Sequence, residues 1–364
     1  MTRPTFAKID LNAFKANYQL ASTLAGDALC VAVIKANGYG HGICQIARAI
    51  PDAPLAVACV DEAIAMRKNG IDNPVVVLEG AFSIEEVLLA AEHKLQLIIH
   101  SEYQLEQLNA LTEVNQPVAV WLKLNTGMNR LGFKPALARE LVYRLKQTPL
   151  VKLVGLMTHF SSADELETTE TERQLALFSS VVNNLGSMSE GLLLTAANSA
   201  ALLAHKSAHF DCVRPGIILY GSSPMPHLSS EALGLAAVMS LESRIMAIHE
   251  VNAGDCVGYG GTWRASRETK VGTIAVGYGD GYPRHAETGT PVWVGDRVVP
   301  LIGRVSMDML TVDLTYHPDA KVGDAVELWG KNVSVDEVAM SAGTIGYELL
   351  TGVTSRVPRL YSEE

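Results

Sequence analysis

The stretch LCVAVIKANGYGHG, residues 29–42, begins with an unbroken apolar run and ends in a polar, glycine-rich segment. A short apolar run of this kind is typical of a strand that is buried on both faces of a parallel sheet. Similar runs follow at residues 55–60, 75–78, 95–99, 118–124, 151–157, 192–196 and 213–219. The sequence therefore predicts eight buried strands before residue 220.

Helical patterns separate these runs. Segments that start at Ser83 and Ser101 have a Glu or Gln three residues later, the capping-box pattern of a helix start. A third helix is predicted after Pro135. Eight strand–helix repeats predict a (β/α)8 TIM barrel over residues 1–232. An open, doubly wound sheet is the alternative, because only the count of eight argues against it.

After residue 232 the pattern changes to alternating strands with glycine-rich turns, such as Leu241–His249 and Val271–Tyr278. Helical patterns return only at Val335–Ala342 and around Tyr347. We therefore predict a mainly antiparallel β domain over residues 233–364. Two domains also suit a length of 364 residues, which exceeds what one core usually supports.

Charge and composition limit the classes of partner. A net charge of −10 argues against a nucleic-acid surface, and no apolar run approaches the ~20 residues of a membrane span. Residues 1–10 hold no apolar leader, and the five cysteines are scattered, which predicts a cytoplasmic protein with reduced thiols. His205 and His209 have helix spacing but lack a nearby acidic ligand, so we interpret them as surface residues and predict no metal site.

Lys35 directly follows the first apolar run. In a barrel, functional groups lie at the carboxyl ends of the strands, so this amine is expected at the barrel mouth. Partial desolvation there favours the neutral, nucleophilic amine and suits Schiff-base chemistry with a carbonyl. A rim lysine that reaches solvent is the alternative.

Lys35–Gly42 resembles the cofactor-lysine motif of the alanine racemases, pyridoxal-phosphate enzymes of bacterial wall synthesis and alanine catabolism. The resemblance runs nearly end to end, through Leu124–Gly132, Met157–Phe160, Ala197–Ser199, Val213–Ile217, Gly258–Gly261, Gly277–Gly281, Arg304–Asp308 and Gly346–Tyr347. It implies a barrel followed by a β domain, pyridoxal 5'-phosphate as cofactor, and a homodimer with shared active sites.

The resemblance also implies how the cofactor is held. Lys35 would bind it covalently, and hydroxyls and backbone N–H groups would bind its phosphate. The matching positions are Tyr39, Ser199, Tyr347 and the amides of Gly216 and Ile217. Taken alone, Ser199 is predicted to be a helix N-cap, a role that is compatible with phosphate binding.

Arg214 is implied to donate a hydrogen bond to the cofactor's ring nitrogen. Because arginine keeps its proton, the ring would be a weaker electron sink, which favours racemisation over transamination. His159 is implied to bridge Arg214 and Tyr259. From the residues alone, Arg214 could instead pair with a carboxylate such as Asp211, and His159 could be a core histidine.

Racemisation requires a proton to leave one face of the α-carbon and another to reach the opposite face. The resemblance implies that Lys35 and Tyr259 are these two groups, with Tyr259 supplied by the partner subunit. A phenol with a pKa of ~10 needs cationic neighbours to act as a base at neutral pH. Taken alone, Tyr259 is an aromatic residue in a glycine-rich turn.

Substrate recognition completes the implied site. The carboxylate would bind Arg130 and the partner's Met307 N–H, and Lys123 matches a lysine that is carbamylated in many relatives and orients the arginine. An inner gate of Tyr259 and Tyr347 would favour a methyl side chain. The implied entrance groups are Asp164, Tyr278, Arg284 and Arg304.

The sequence thus predicts an isomerase that interconverts L- and D-alanine, with a role in D-alanine supply for peptidoglycan precursors. A broad-specificity racemase acting on serine or lysine is the alternative within the same fold. A non-catalytic pyridoxal-phosphate carrier would not need the β domain. A decarboxylase of similar plan would be expected to have an acid in place of Arg214.

Overall fold

The computed structural model of the protein describes residues 3–362. Its parallel sheet contains the strands β2 (Leu29–Cys30), β3 (Ala32–Val33), β4 (Leu55–Val57), β5 (Val75–Val77), β6 (Leu95–Ile99), β7 (Val118–Lys123), β8 (Val151–Met157), β9 (Leu193–Thr195) and β10 (Cys212–Val213). A further strand, β1 (Phe6–Asp10), precedes them. All eight predicted apolar runs contribute to this sheet.

The sheet closes into a barrel through the segment 29–33. Val31 donates a backbone hydrogen bond to the Val213 carbonyl, and Ala32 donates one to the Pro54 carbonyl, each at 2.9 Å. The strands β2 and β3 are therefore two halves of one strand, which pairs with β10 on one side and with β4 on the other. This confirms the predicted eight-stranded barrel and excludes the open sheet.

Helices alternate with the barrel strands: α1 (Leu11–Ala25), α2 (Lys35–Tyr39), α3 (Ile43–Ala49), α4 (Val60–Lys68), α5 (Ile84–Glu92), α6 (Glu102–Asn109), α7 (Ala138–Gln147), α8 (Glu170–Leu185) and α9 (Ser199–Ala204). The Ser83 hydroxyl accepts from the Glu86 amide at 3.3 Å, as the capping pattern predicts. The Ser101 side chain makes no such bond, although α6 begins directly after it. After Pro135, one turn of 3-10 helix precedes α7.

The second domain is a mainly antiparallel sheet, as predicted. Its main sheet contains β11 (Met239–Val251), β14 (Thr269–Ile274), β15 (Pro291–Val294), β16 (Arg297–Pro300), β17 (Leu310–Asp313), β18 (Ala325–Trp329) and β19 (Arg359–Ser362), while β12 (Cys256–Val257) and β13 (Trp263–Arg264) form a separate two-stranded sheet. The long strand β11 pairs antiparallel with β14, β18 and β1. Two short helices, α10 (Val335–Ser341) and α11 (Gly346–Gly352), pack against each other.

The first strand lies in this second sheet rather than in the barrel. In β1, Ala7 lies opposite Leu241 of β11 and Arg359 of β19. Residues 6–10 therefore belong to the C-terminal sheet, although the predicted boundary at residue 232 groups them with the barrel. Helix α11 packs against α2 at the barrel mouth, which brings the second domain to the end of the barrel where functional groups are expected.

No helix within residues 3–362 is both long enough and apolar enough to cross a lipid bilayer.

Candidate active site

Five predicted site residues meet at the carboxyl ends of the barrel strands. Lys35 follows β3, Lys123 ends β7, and Arg214 follows β10. His159 lies two residues beyond β8, and Arg130 lies in the loop after β7; both line one cavity with Lys123. The structure therefore brings together at one mouth residues that are up to 179 positions apart, from Lys35 to Arg214.

These five basic groups form no ion pair with a carboxylate inside the described part of the chain. Burial and the neighbouring cations lower the pKa of Lys123, which is 9% exposed, to about 8. Burial, followed by repulsion from Arg130, lowers the pKa of Lys35. The cations at the mouth outnumber the two carboxylates that act on Lys35, those of Glu62 and Glu79, and this excess positive charge favours an anionic ligand.

Arg214 is held by barrel acceptors. Its guanidinium donates to the Thr195 hydroxyl and to the carbonyls of Thr158 at 2.8 Å and Ala196 at 3.1 Å. Asp211 instead accepts from the Leu194 amide at 2.7 Å, so the alternative of an Arg214–Asp211 ion pair is wrong. Burial lowers the pKa of Arg214 to about 10, and the guanidinium therefore keeps its proton at neutral pH.

His159 lies 3.3 Å from Arg214, measured from Nδ1 to Nη2. Burial and the charge of Arg214 hold the pKa of His159 well below its usual value, so the ring is neutral at pH 7. Because a guanidinium can only donate, Nδ1 must accept, and the ring proton is on Nε2. His159 can therefore pass a hydrogen bond from Arg214 to a third group.

The segment after Lys35 adopts a left-handed turn. Ala36, Asn37 and Tyr39 have φ values of 52°, 55° and 49°, a region that L-residues rarely occupy. The Asn37 amide donates to Glu62 at 3.2 Å, and the His41 ring lies 2.8 Å from the Tyr39 carbonyl. Sequence reasoning missed Glu62 and His41, and the only signal was the glycine-rich composition of the turn.

A group of polar atoms, which we call the polar pocket, lies beside this turn and is formed by Tyr39, Ser199, Gly216 and Tyr347. The Ser199 hydroxyl accepts from the Gly216 amide at 2.8 Å, and a Cβ atom at position 216 would lie 2.6 Å from the Tyr39 hydroxyl. The Tyr347 ring lies 6.0 Å from that of Tyr39. Ile217 begins a 3-10 turn, so its N–H has no carbonyl within the turn.

Ser199 is not the cap of α9. The cap is Asn198, whose side chain accepts from the Ala201 amide at 2.9 Å. The N-cap interpretation of Ser199 is therefore wrong by one residue. Its hydroxyl is consequently free to bond Gly216.

The remaining predicted residues lie on the surface of the second domain. Tyr259 is 71% exposed and Met307 is 53% exposed. Tyr278, Arg284 and Arg304 are also exposed. Asp164, by contrast, lies outside the second domain; burial raises the pKa of Tyr347, and the charge of Asp164 adds to that effect. Within residues 3–362 the structure shows no bond from Tyr259 or Met307 to the barrel-mouth groups.

His205 and His209 differ in burial, since His205 is half-buried and His209 is buried. His209 is buried, and its Nε2 atom lies 3.0 Å from the Leu202 carbonyl. The interpretation of this pair as surface residues is therefore wrong for His209.

Comparisons with known proteins agree along the whole chain. The family model for the alanine racemase N-terminal domain matches residues 9–224, and the model for the C-terminal domain matches residues 238–361. The alanine racemase of Hahella chejuensis is 46% identical over 368 residues, covering 99% of this chain and 98% of its own length. The biosynthetic alanine racemase of Pseudomonas aeruginosa is 47% identical over 362 residues, covering 99% of both.

Solved structures give the same result. The crystal structure of biosynthetic alanine racemase from Pseudomonas aeruginosa is similar with a TM-score of 0.95 and 47% identity, covering 100% of both chains. That of alanine racemase from Acinetobacter baumannii is similar with a TM-score of 0.93 and 37% identity, covering 99% of this chain and 100% of the other.

Proposed function

Since this chain belongs to the alanine racemase family, we propose that it interconverts L-alanine and D-alanine with pyridoxal 5'-phosphate as cofactor. The observation that carries the proposal is the group of five unpaired basic residues at the barrel mouth, two of them lysines with lowered pKa values. The relatives' names support alanine as the substrate and do not favour the broad-specificity alternative.

The pocket fits a phosphorylated aldehyde. Glycine at position 216 leaves room for the Tyr39 hydroxyl among the hydroxyls and amides proposed to hold the phosphate. Lys35 would bind the aldehyde and Arg214 would face the ring nitrogen. The phosphate ligands would be Tyr39, Ser199, Tyr347 and the amides of Gly216 and Ile217. When bound, the cofactor supplies an electron sink that acidifies the α-proton of alanine.

Two side chains would exchange protons with the α-carbon. The lowered pKa of Lys35 makes its Nζ atom a competent base and, once protonated, a competent acid. Tyr259 of the partner would act on the opposite face, taking the proton of L-alanine, with the roles reversed for D-alanine. His159, with its proton on Nε2, would donate to the Tyr259 oxygen and stabilise the phenolate.

A homodimer is needed for this arrangement. Tyr259 and Met307 are exposed in one chain, and an acid–base group works best where water is excluded. We therefore propose that a second copy covers this face and receives both residues at its barrel mouth. Arg130 and the Met307 N–H would then bind the substrate carboxylate, and Tyr259 and Tyr347 would leave room for a methyl group.

Lys123 suits a carbamate. Its pKa of about 8 leaves a neutral fraction that can react with carbon dioxide, and the product would replace a buried cation beside Arg130 with an anion. We place the enzyme in the cytoplasm, where its five free cysteines would remain reduced. There its D-alanine would serve peptidoglycan precursors.

The test is a chiral assay of purified protein with L-alanine, with and without added pyridoxal phosphate. We expect D-alanine to accumulate to an equal mixture, and serine and lysine to be poor substrates. Lys35→Ala should abolish turnover and the visible absorbance of the lysine-bound cofactor, whereas Lys152→Ala, at an exposed position of β8, should preserve both. Retention of colour and turnover in Lys35→Ala would refute the proposal.

A further inference from the structure

The loop around Met307 is arranged so that one amide remains unused. Carbonyls of Ser306 and Met307 accept from the amides of Tyr278 at 3.0 Å and Gly279 at 2.8 Å. In the described residues 3–362, the Met307 N–H itself donates to nothing. The loop therefore presents a free donor whose neighbouring carbonyls are fixed by the segment 277–281.

Asp280 lies in the centre of that segment, and its side chain is only 1% exposed. Its carboxylate accepts hydrogen bonds from Arg3 at 2.5 and 2.9 Å and from the Gly277 amide at 2.9 Å, and it forms an ion pair with Arg356 at 3.1 Å. A buried carboxylate is costly unless it is paired in this way. Sequence reasoning singled out none of these charged residues.

Both arginines that bind Asp280 also hold the residue after Met307. Arg356 donates to the Asp308 carboxylate at 2.8 Å, and Arg3 donates to the Asp308 carbonyl at 2.8 Å. The loop is thus fixed on one side of Met307 by the backbone of residues 278–279. On the other side it is fixed by two guanidinium groups that share Asp280 as their anchor.

We propose that Asp280 is a positioning residue that sets the Met307 N–H for the substrate carboxylate in the partner subunit's active site. The inference rests on the proposed function, because it requires Met307 to act across the dimer. Without the Asp280 charge, Arg3 and Arg356 lose their anchor and no longer hold Asp308. The Met307 amide then leaves the position from which it binds alanine.

The first experiment compares Asp280→Asn with Asp313→Asn. Asp313 is a matched control, because its largely buried carboxylate also pairs with an arginine, Arg267 at 3.0 Å, and lies in strand β17 of the same domain. We expect Asp280→Asn to raise the KM for alanine and the inhibition constant of propionate, a carboxylate without an amine, by about tenfold, the effect of one hydrogen bond to a charged group. The kcat should change less than twofold.

A second variant covers the case in which Asp280→Asn does not fold. Arg356→Lys keeps a cation beside Asp280 but cannot reach Asp308 with a second nitrogen. It should raise the same two constants by a smaller factor, about threefold, at unchanged melting temperature. Equal KM values in wild type, Asp280 and Arg356 variants, or a loss confined to kcat, would overturn the proposal.

Mixed dimers then test whether the effect crosses the interface. A dimer of Lys35→Ala and Asp280→Asn chains has its one functional Lys35 opposite an intact Asp280, so its KM should be that of wild type. A dimer of wild type and a Lys35→Ala/Asp280→Asn chain has its functional Lys35 opposite the altered loop, so its KM should be raised. The reverse pattern, or equal KM values, refutes the role of Asp280.

A separate pair reports on the proposed function alone. Chains carrying Lys35→Ala and Tyr259→Phe should each be inactive as homodimers and regain activity when mixed, since one of the two sites is then complete. If mixing restores nothing, the shared active site fails. If mixing restores activity but the Asp280 dimers do not differ, only the positioning role fails.

Discussion

Replacing Gly216 with alanine adds one methyl group at the narrowest point of the polar pocket. At Gly216 φ is −123°, outside the left-handed region that favours glycine. The new Cβ atom would lie 2.6 Å from the Tyr39 hydroxyl, which must retreat to at least 3.4 Å, a shift of about 0.8 Å. A hydroxyl displaced this far would lose the hydrogen bond that we propose it donates to the phosphate, a loss of about 1.5–3 kcal/mol for a charged acceptor.

The assay is equilibrium binding of pyridoxal phosphate to apoprotein, followed by absorbance. We expect the dissociation constant to rise by about tenfold to a hundredfold in Gly216→Ala. Tyr39→Phe should raise it by a similar factor, because it removes the same donor. In the Tyr39→Phe background the alanine meets only the ring carbon, 3.3 Å away, so the double variant should bind no worse than either single variant.

The double variant tests whether the alanine methyl group weakens binding by displacing the Tyr39 hydroxyl. If the dissociation constant of the double variant rises by the product of the two single factors, the Tyr39 hydroxyl and the new methyl group do not compete for space. Unchanged binding in Gly216→Ala would equally show that the phosphate lies elsewhere.

Three further predictions follow from the site. Tyr259→Phe should slow α-proton exchange from L-alanine more than from D-alanine in deuterated solvent, and equal, mild slowing would contradict the two-base assignment. Lys123→Met should raise the melting temperature of the apoprotein in carbon dioxide-free buffer. Lys123 has a pKa of 10.5 in the unfolded chain and about 8 in the folded chain, so its protonation favours the unfolded state. The increase in melting temperature is therefore full below pH 8 and disappears towards pH 10.5. A difference in melting temperature that does not depend on pH would contradict this. Glu62→Ala should lower the free energy of unfolding by about 2 kcal/mol in denaturant titrations, because the backbone amides of Asn37 and Ala58 lose their acceptor. An unchanged denaturation midpoint would refute the role of Glu62 in the left-handed turn.

The barrel was predictable because each strand buries both faces and therefore reads as an unbroken apolar run, as in Val75–Val77, all of it buried. The position of β1 in the second sheet could not be predicted in this way. Its alternation of buried and exposed residues, with Ala7 and Ile9 inside, is typical of a strand. However, nothing local indicates that its partners are residues 239–242 and 359–362.

In the candidate active site, too, some residues could be predicted from the sequence and others could not. Positions at strand ends, such as Lys35 and Arg214, followed from the run pattern and the resemblance. The neighbouring Asn198 and Ser199 are both good caps, so sequence could not tell which one begins the helix. The positive φ of Ala36 had no local signal either, because alanine does not favour that region; a distant carboxylate, Glu62, stabilises it.

The position of β1 bears on how the polypeptide is made. A ribosome that adds roughly 5–20 residues per second releases FAKID at the outset and its last neighbour, Arg359–Ser362, tens of seconds later. The segment has no partner on either edge until residues 239–242 are made, and it lacks its second partner until residues 359–362 are made, whereas the barrel strands between residues 29 and 213 are already complete by then. Removal of residues 359–362 would consequently expose one edge of β1, while its other edge stays paired with β11.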